Sequence, residues 1–339
     1  MAELFAEYNQ FKSIVGGRIN QSVELASLDP FIYEAARKHI VPWLGSVYAT
    51  LVAAGSPTQA QTALITYVRR PLALLTIHEY SKVVSVELSD SGMHRIETET
   101  RKSSYRYQEK QFQEDALQKG YDALENMLFF LDSNRATYPD WVATEEATAH
   151  LSQLLNYAKD FRRLVNTNCD RYSFEALRPI IAHQQLMICQ SAVPSAFWSG
   201  FMSRHIAGTL TSAEKTVREY MRQAIAYAAL NEAMKLHYVT ISMGRIFIQE
   251  EFGEQSNINR TMPNAGSSDL AINQIMADRY TVLWKDYIRN NPNSFPTVFD
   301  VASGGSNSNS DAWHINNADE ADAAAYELDL KKKKGVLQL

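Results

Sequence analysis

The chain has 339 residues, 45% of them hydrophobic, enough for two cores of ordinary domain size and a tail. Its formal net charge of −5 argues against a dedicated duplex-binding protein, which needs a basic surface to neutralise phosphates. Two cysteines, Cys169 and Cys189, are too few for a disulfide framework and read as small buried thiols.

Helix periodicity dominates the chain. Leu4, Phe5, Tyr8, Phe11, Ile14 and Val15 recur at three- and four-residue steps and make one apolar stripe, closed by Gly16-Gly17. Asp29-Pro30 reads as the start of the next helix, with Asp29 as N-cap and Pro30 in the first turn. That helix is expected to run from Phe31 through Trp43 and Leu51, kinked at Pro42, and to stop at Gly55-Ser56-Pro57. A third, more apolar helix is predicted over residues 58–82, with Pro71 inside it. The period then changes to two. Val84–Leu88 and Met93–Glu97 alternate around Ser89-Asp90-Ser91-Gly92, a β-hairpin pattern with a four-residue turn. Residues 98–113 read as a charged connector, and helix returns over 114–133.

The same order of patterns then recurs. Phe11, Ile14 and Val15 match Phe161, Leu164 and Val165. Phe31 and the residues after it resemble those after Phe174. Tyr67-Val68-Arg69 matches Tyr220-Met221-Arg222, Gly92 matches Gly244, and Tyr138-Pro139 matches Phe295-Pro296. A second hairpin is predicted around Met243-Gly244, then a loop over 252–266 and a helix over 270–290. After Asp300 the composition shifts to a Gly/Ser/Asn linker, an acidic stretch over 318–330, four lysines and a short hydrophobic end. The expected fold is therefore mainly α. It comprises two tandem related helical-bundle domains, 1–149 and 150–300, each with a small β-hairpin, and a flexible C-terminal arm, 301–339.

Chemistry is hard to find in this order of residues. There is no phosphate-binding glycine loop, no His-Glu-x-x-His and no Gly-x-Ser-x-Gly. No two of the eight histidines have ligand spacing on a helix face, so no metal or cofactor is expected. Glu145-Glu146, Glu250-Glu251, Arg69-Arg70 and Arg162-Arg163 read as solvated or salt-bridged helix faces. Trp43, Trp141, Trp198 and Trp284 read as core, whereas Trp313 sits in a polar segment and reads as an anchor for a partner. No basic stretch precedes an apolar core at the start, and no run reaches the ~18 apolar residues of a membrane helix. A protein made in the cytoplasm and not bound to membrane is expected.

The helix near Phe31–Leu51, the long apolar helix through Leu64–Tyr80 and the segment Val84–Leu88 with Ser91-Gly92 and Arg95 resemble the helical head–tail connector (adaptor) proteins of tailed bacteriophages. Leu128–Leu131, Tyr138 and Trp141 are similar to landmarks of an uncharacterised family in phages and prophages of Bacteroidetes. The resemblance covers about residues 1–300. It implies a virion structural protein, not an enzyme, that forms a homo-oligomeric ring beneath the portal protein. The ring would be twelve-fold if one repeat docks on the portal, or six-fold if both repeats are equivalent. Such a ring extends the DNA channel without sequence-specific binding and offers a surface to tail or neck proteins. The contact candidates are the hairpin tips, Asp90, Ser91, Gly92, Met243 and Gly244, together with Trp313, Leu337 and Leu339 of the arm. A non-viral helical scaffold and a helical enzyme without a recognisable motif are the competing expectations.

Overall fold

The computed structural model describes residues 4–5, 7–16, 25–84, 86–89, 92–95, 106–236, 239–242, 245–248 and 267–299. The protein is mainly α-helical. The buried hydrophobic residues fall into two clusters, one in each half of the described chain, the first unit and the second unit. The first core gathers Phe11, Leu28, Ile32, Leu72, Leu128 and Trp141, and the second Phe161, Leu177, Ile181, Ile225, Trp284 and Phe295.

Helix α1 (Tyr8–Val15) buries Phe11 and Val15, as its stripe predicts. Helix α2 (Leu25–Ala35) starts earlier than Asp29-Pro30 suggests, and Pro30 lies inside it. Pro30 and Ala26 both face solvent, so water can take the Ala26 carbonyl that a proline leaves without a donor. The chain then widens into a π-helical segment, Ala36–Ile40, before α3 (Val41–Leu44). The break comes at Gly45 rather than at Pro42. Gly45 has φ 54° and separates α3 from α4 (Ser46–Ala53). A Cβ there would overlap the Glu146 carboxylate, so glycine is required twice over.

Helix α5 (Gln59–Ser81) is the central element of the first unit, and Pro71 is buried within it. Its start is set by a capping box. The Thr58 hydroxyl accepts the Gln61 N–H at 3.2 Å, and the Gln61 side chain accepts the Thr58 N–H at 2.9 Å. Strand β1 (Val86–Ser89) pairs antiparallel with β2 (Gly92–Arg95), with Ser89 opposite Gly92. Only Asp90 and Ser91 separate the paired residues, two fewer than the sequence pattern suggests. Helix α6 (Arg106–Ser133) begins within the stretch expected to be a connector. It packs along α5 so closely that a Cβ on Gly120 would lie 2.7 Å from Leu75 Cδ2. Helices α7 (Pro139–Val142) and α8 (Glu145–Leu151) close the unit, with Trp141 Nε1 donating to the Trp43 carbonyl at 3.0 Å.

The second unit runs through α9 (Ala158–Val165), α10 (Arg171–Gln184), α11 (Ser195–Ala207), α12 (Ser212–Lys235), β3 (Val239–Ser242), β4 (Arg245–Ile248), α13 (Ser267–Asn290) and α14 (Pro296–Phe299). Strands β3 and β4 pair antiparallel, with Ser242 opposite Arg245.

Local geometry recurs at matching places. Pro179 lies inside α10, and a π-helical segment, Gln185–Gln190, follows it as Ala36–Ile40 follows Pro30. Leu28 and Ile32 flank Pro30 as Leu177 and Ile181 flank Pro179, two residues to either side, and all four are fully buried. Helix α12 opens on Thr211-x-x-Glu214, a second capping box with the same two distances, 3.2 and 2.9 Å. Tyr67 stacks on Phe130, which meets Tyr138; Tyr220 meets Tyr287, which meets Phe295. The Asn134 amide donates to the Phe130 carbonyl at 2.8 Å, and the Asn291 amide to the Tyr287 carbonyl at 2.8 Å.

Candidate functional site

Of the contact residues that the sequence singles out, Gly92 lies within the described residues, in β2 opposite Ser89. Asp90, Ser91, Met243, Gly244, Trp313, Leu337 and Leu339 lie outside them. What the structure does place are the roots of the two hairpins and the junction between the two units.

At the first root, Val83 and Val84 stand 48% and 44% exposed where α5 leads toward β1, and Tyr107 at the start of α6 is 66% exposed. At the second, Leu236, where α12 ends, is 53% exposed, and Ile272 on α13 is 54% exposed. Large apolar groups thus face solvent beside both hairpins. None of them was picked out from sequence, because a valine or leucine that ends a helix looks the same whether it is buried or bare.

The junction is built on α6, whose carboxylates and amides terminate helices of the second unit. Glu125 accepts the backbone N–H groups of Ala158 and Lys159, each at 3.2 Å, and so caps α9. The residue at the N-cap itself, Tyr157, makes no side-chain cap bond. Gln118 donates at 2.9 Å to Asp170, the N-cap of α10, whose other oxygen accepts the Ser173 N–H at 2.7 Å. Carboxylates at both helix starts also meet the positive ends of the helix dipoles.

Arg171 lies beneath these caps with no exposed surface. Its guanidinium donates to the Asn156 carbonyl at 2.7 Å, lies 2.5 Å from Glu175 and 3.8 Å from Glu125, and packs over Trp43 and Phe174. Arg178 covers the same Trp43 ring at 4.4 Å and reaches Glu175 at 3.3 Å. A buried guanidinium needs such neighbours, since an unpaired charge in the interior costs several kcal/mol.

A second cluster surrounds Asp132. It accepts the Tyr157 hydroxyl, pairs with Arg135 at 3.1 Å and lies 3.5 Å from His150 Nε2. Burial pushes the His150 pKa below the usual histidine value, against the pull of Asp132, so the ring is neutral at neutral pH. Burial raises the Asp132 pKa, yet the nearby His150 ring, the Tyr157 hydroxyl and the charge of Arg135 hold it below the ordinary carboxylate range. A third group lies inside the first unit. Glu79 meets Lys82 at 2.7 Å, and Lys38 and His39 at 3.1 Å each. Burial opposes its ionisation, but these three partners lower its pKa to about 2.

These groups fasten helices together through ion pairs and through bonds to backbone carbonyl and N–H groups, while both His150 ring nitrogens and Arg171 Nε are buried without a hydrogen-bond partner. Cys169 and Cys189 are buried free thiols, with pKa values raised by burial, so the thiolate needed for nucleophilic attack is suppressed. Among the described residues no group of three or more His, Cys, Asp or Glu is placed to hold a metal ion. Among the same residues no helix is long and apolar enough to cross a membrane. Sequence reasoning missed Arg171 and Glu125. The Asp170–Ser173 spacing ahead of an apolar run was the one available signal for the helix start beside them.

Comparison with known proteins adds one finding. Residues 33–150 match a family of unknown function, DUF6712, a span that begins within α2 and ends within α8, inside the first unit. No curated protein and no solved structure matches the chain.

Proposed function

We propose that the chain is a structural assembly subunit made of two tandem copies of one helical unit, which closes into a ring as a head–tail connector of a tailed bacteriophage. The observation that carries this reading is the apolar surface left in solvent at the root of each hairpin. Val83 and Leu236 occupy corresponding places at the ends of α5 and α12, and both are about half exposed. Exposed apolar groups gathered at one structural position mark surface that a partner covers. A two-stranded ribbon also leaves one edge of each strand unpaired among the described residues, and isolated ribbons are marginal in water. Contacts from neighbouring subunits would remove both liabilities.

The tandem reading is supported by the two capping boxes, the two π-helical segments behind prolines, the two aromatic trios and the two asparagine bonds. A chain holding two such units presents different surfaces at its two ends. Head-to-tail contacts between them close a ring when the rotation per subunit divides the circle. With a net charge of −5, such a ring would pass DNA without adhering to it. Portal protein on one side and tail or neck proteins on the other are the partners this role requires. Imaging a tailed particle that carries the chain tests the role: density for it at the neck supports the reading, and its absence from the particle overturns it.

A further inference from the structure

An open groove runs between α5 and α6, bordered at one end by Ile14, Val15 and Gly16 at the end of α1. It comprises two adjoining hollows of about 430 and 600 Å³, which share Arg70, Ala123 and Asn126. Leu74 and Ala123 form its floor, 6% and 5% exposed. Tyr67 and Phe129 stand on its walls, 40% and 48% exposed. The second unit differs at the corresponding positions. There Tyr227 and Tyr280 occupy the seam between α12 and α13, with nearly parallel rings 6.1 Å apart. The first unit thus has a leucine and an alanine where the second carries two phenol rings of its own.

The charge on the groove narrows what could fill the space. Arg70 is exposed and forms no ion pair among the described residues. Lys119, at one end, is paired with Asp115 at 2.7 Å, and Asp122 lies on the rim with a pKa raised by burial and by Asp170 and Glu125. The groove therefore suits an aromatic side chain among carboxylates. This chain contains such a segment. Residues 318–330 read Ala-Asp-Glu-Ala-Asp-Ala-Ala-Ala-Tyr-Glu-Leu-Asp-Leu, with Tyr326 as the one aromatic. The residues between 299 and 318 span up to about 60 Å when extended, enough to cross a domain of this size. The hydrophobic end, Val336–Leu339, is a poorer match, because it carries no aromatic ring and no Asp or Glu side chain.

We infer that the groove between α5 and α6 is the docking site for residues 318–330 of this chain, with Tyr326 seated over Leu74 and Ala123 and the flanking carboxylates facing Arg70. This inference rests on the tandem reading, which aligns Leu74 with Tyr227 and Ala123 with Tyr280, and not on ring formation. The test is photo-crosslinking of the full-length chain with benzoylphenylalanine in place of Tyr326, followed by peptide mapping. Crosslinks are expected chiefly on residues 59–81 and 106–133. Arg70→Glu is expected to lower their yield about fivefold, and Leu74→Tyr with Ala123→Tyr to abolish them by filling the groove. Arg70 is on the surface, so its variant folds even if the double variant does not. Mixed heavy and light protein shows from the same spectra whether the segment comes from the same molecule or from another. Crosslinks on any other face, or a yield unchanged by Arg70→Glu, overturn the inference. Native mass, measured separately, reports on the ring, so the two claims fail independently.

Discussion

The Glu125 carboxylate of α6 receives the backbone N–H of Ala158 at 3.2 Å, so a helix of the first unit caps the first turn of the second. This bond is one part of a junction that also includes Gln118 with Asp170 and Glu125 with Arg171. Removing it with Glu125→Ala leaves the start of α9 uncapped and takes a carboxylate from beside buried Arg171. The expected cost is about 2–4 kcal/mol. Hydrogen exchange read separately for α5 and α12 should show the two helices opening together in the native chain and independently in the variant.

The close approach of α5 and α6 depends on Gly120. An alanine there would press on Leu75, whose side chain is fully buried. Overpacking of this kind costs about 1–3 kcal/mol, offset in part by the better helix propensity of alanine. Gly120→Ala alone should lower stability by about 1 kcal/mol, and Leu75→Ala added to it should cost less than the two changes made separately. On the proposed tandem alignment the corresponding residues of the second unit are Ala277 and Ala228, each intermediate in size between glycine and leucine. Chemical denaturation of the four variants reads the coupling directly.

The aromatic trios should carry similar weight in their own units. Phe130 contacts Tyr67 and Tyr138, and Tyr287 contacts Tyr220 and Phe295. Phe130→Ala and Tyr287→Ala should each cost about 2–3 kcal/mol, less than for a fully buried ring because both are only partly buried. The pair should be additive within about 0.5 kcal/mol if the units pack separately at these sites. Marked coupling would mean that the two units share one packing surface there.

Stability should fall with acid in two stages. His205 is partly buried with Arg218 nearby, and its pKa is lowered to about 4. The folded ring stays neutral while the unfolded one protonates near its ordinary value of about 6.5, so stability falls as pH drops from about 6.5 toward 4. Glu79 acts lower down: its carboxylate is held to about 2 in the fold, so its contribution is complete above about 4.5 and is lost between there and 2. Thermal melting across this range should show both steps, and His205→Gln should shrink the upper one without abolishing it, because burial also lowers the pKa values of His39, His78 and His150.

Much of the architecture is visible in residue patterns, and the reasons for the rest are physical. The stripe of α1 predicts the burial of Phe11 and Val15, because one apolar face at helical spacing has few other uses. The span of α5 is likewise legible, with Thr58 and Gln61 marking its start. Pro30 misled because it opens helices far more often than it lies within them, and only its solvent-facing position explains its tolerance. The π-helical segments leave no trace in composition, since a five-residue hydrogen-bond step changes geometry without changing residue type. The start of α6 reads as a connector in the sequence because its first turns carry little apolar surface to bury. Arg171 was invisible for the opposite reason: a fully buried arginine and a surface one are the same letter, and only the converging Glu125, Glu175 and Trp43 distinguish them.

Self-assembly is the most direct test of the account. Native mass spectrometry of the purified full-length chain, alone and mixed with portal rings, should give a closed assembly of twelve or six copies in at least one of the two conditions. Replacing Val83 and Leu236 with lysine should reduce that assembly to single chains that still fold. A mass of one copy under both conditions, with the fold intact, would contradict the ring and with it the structural role proposed for this protein.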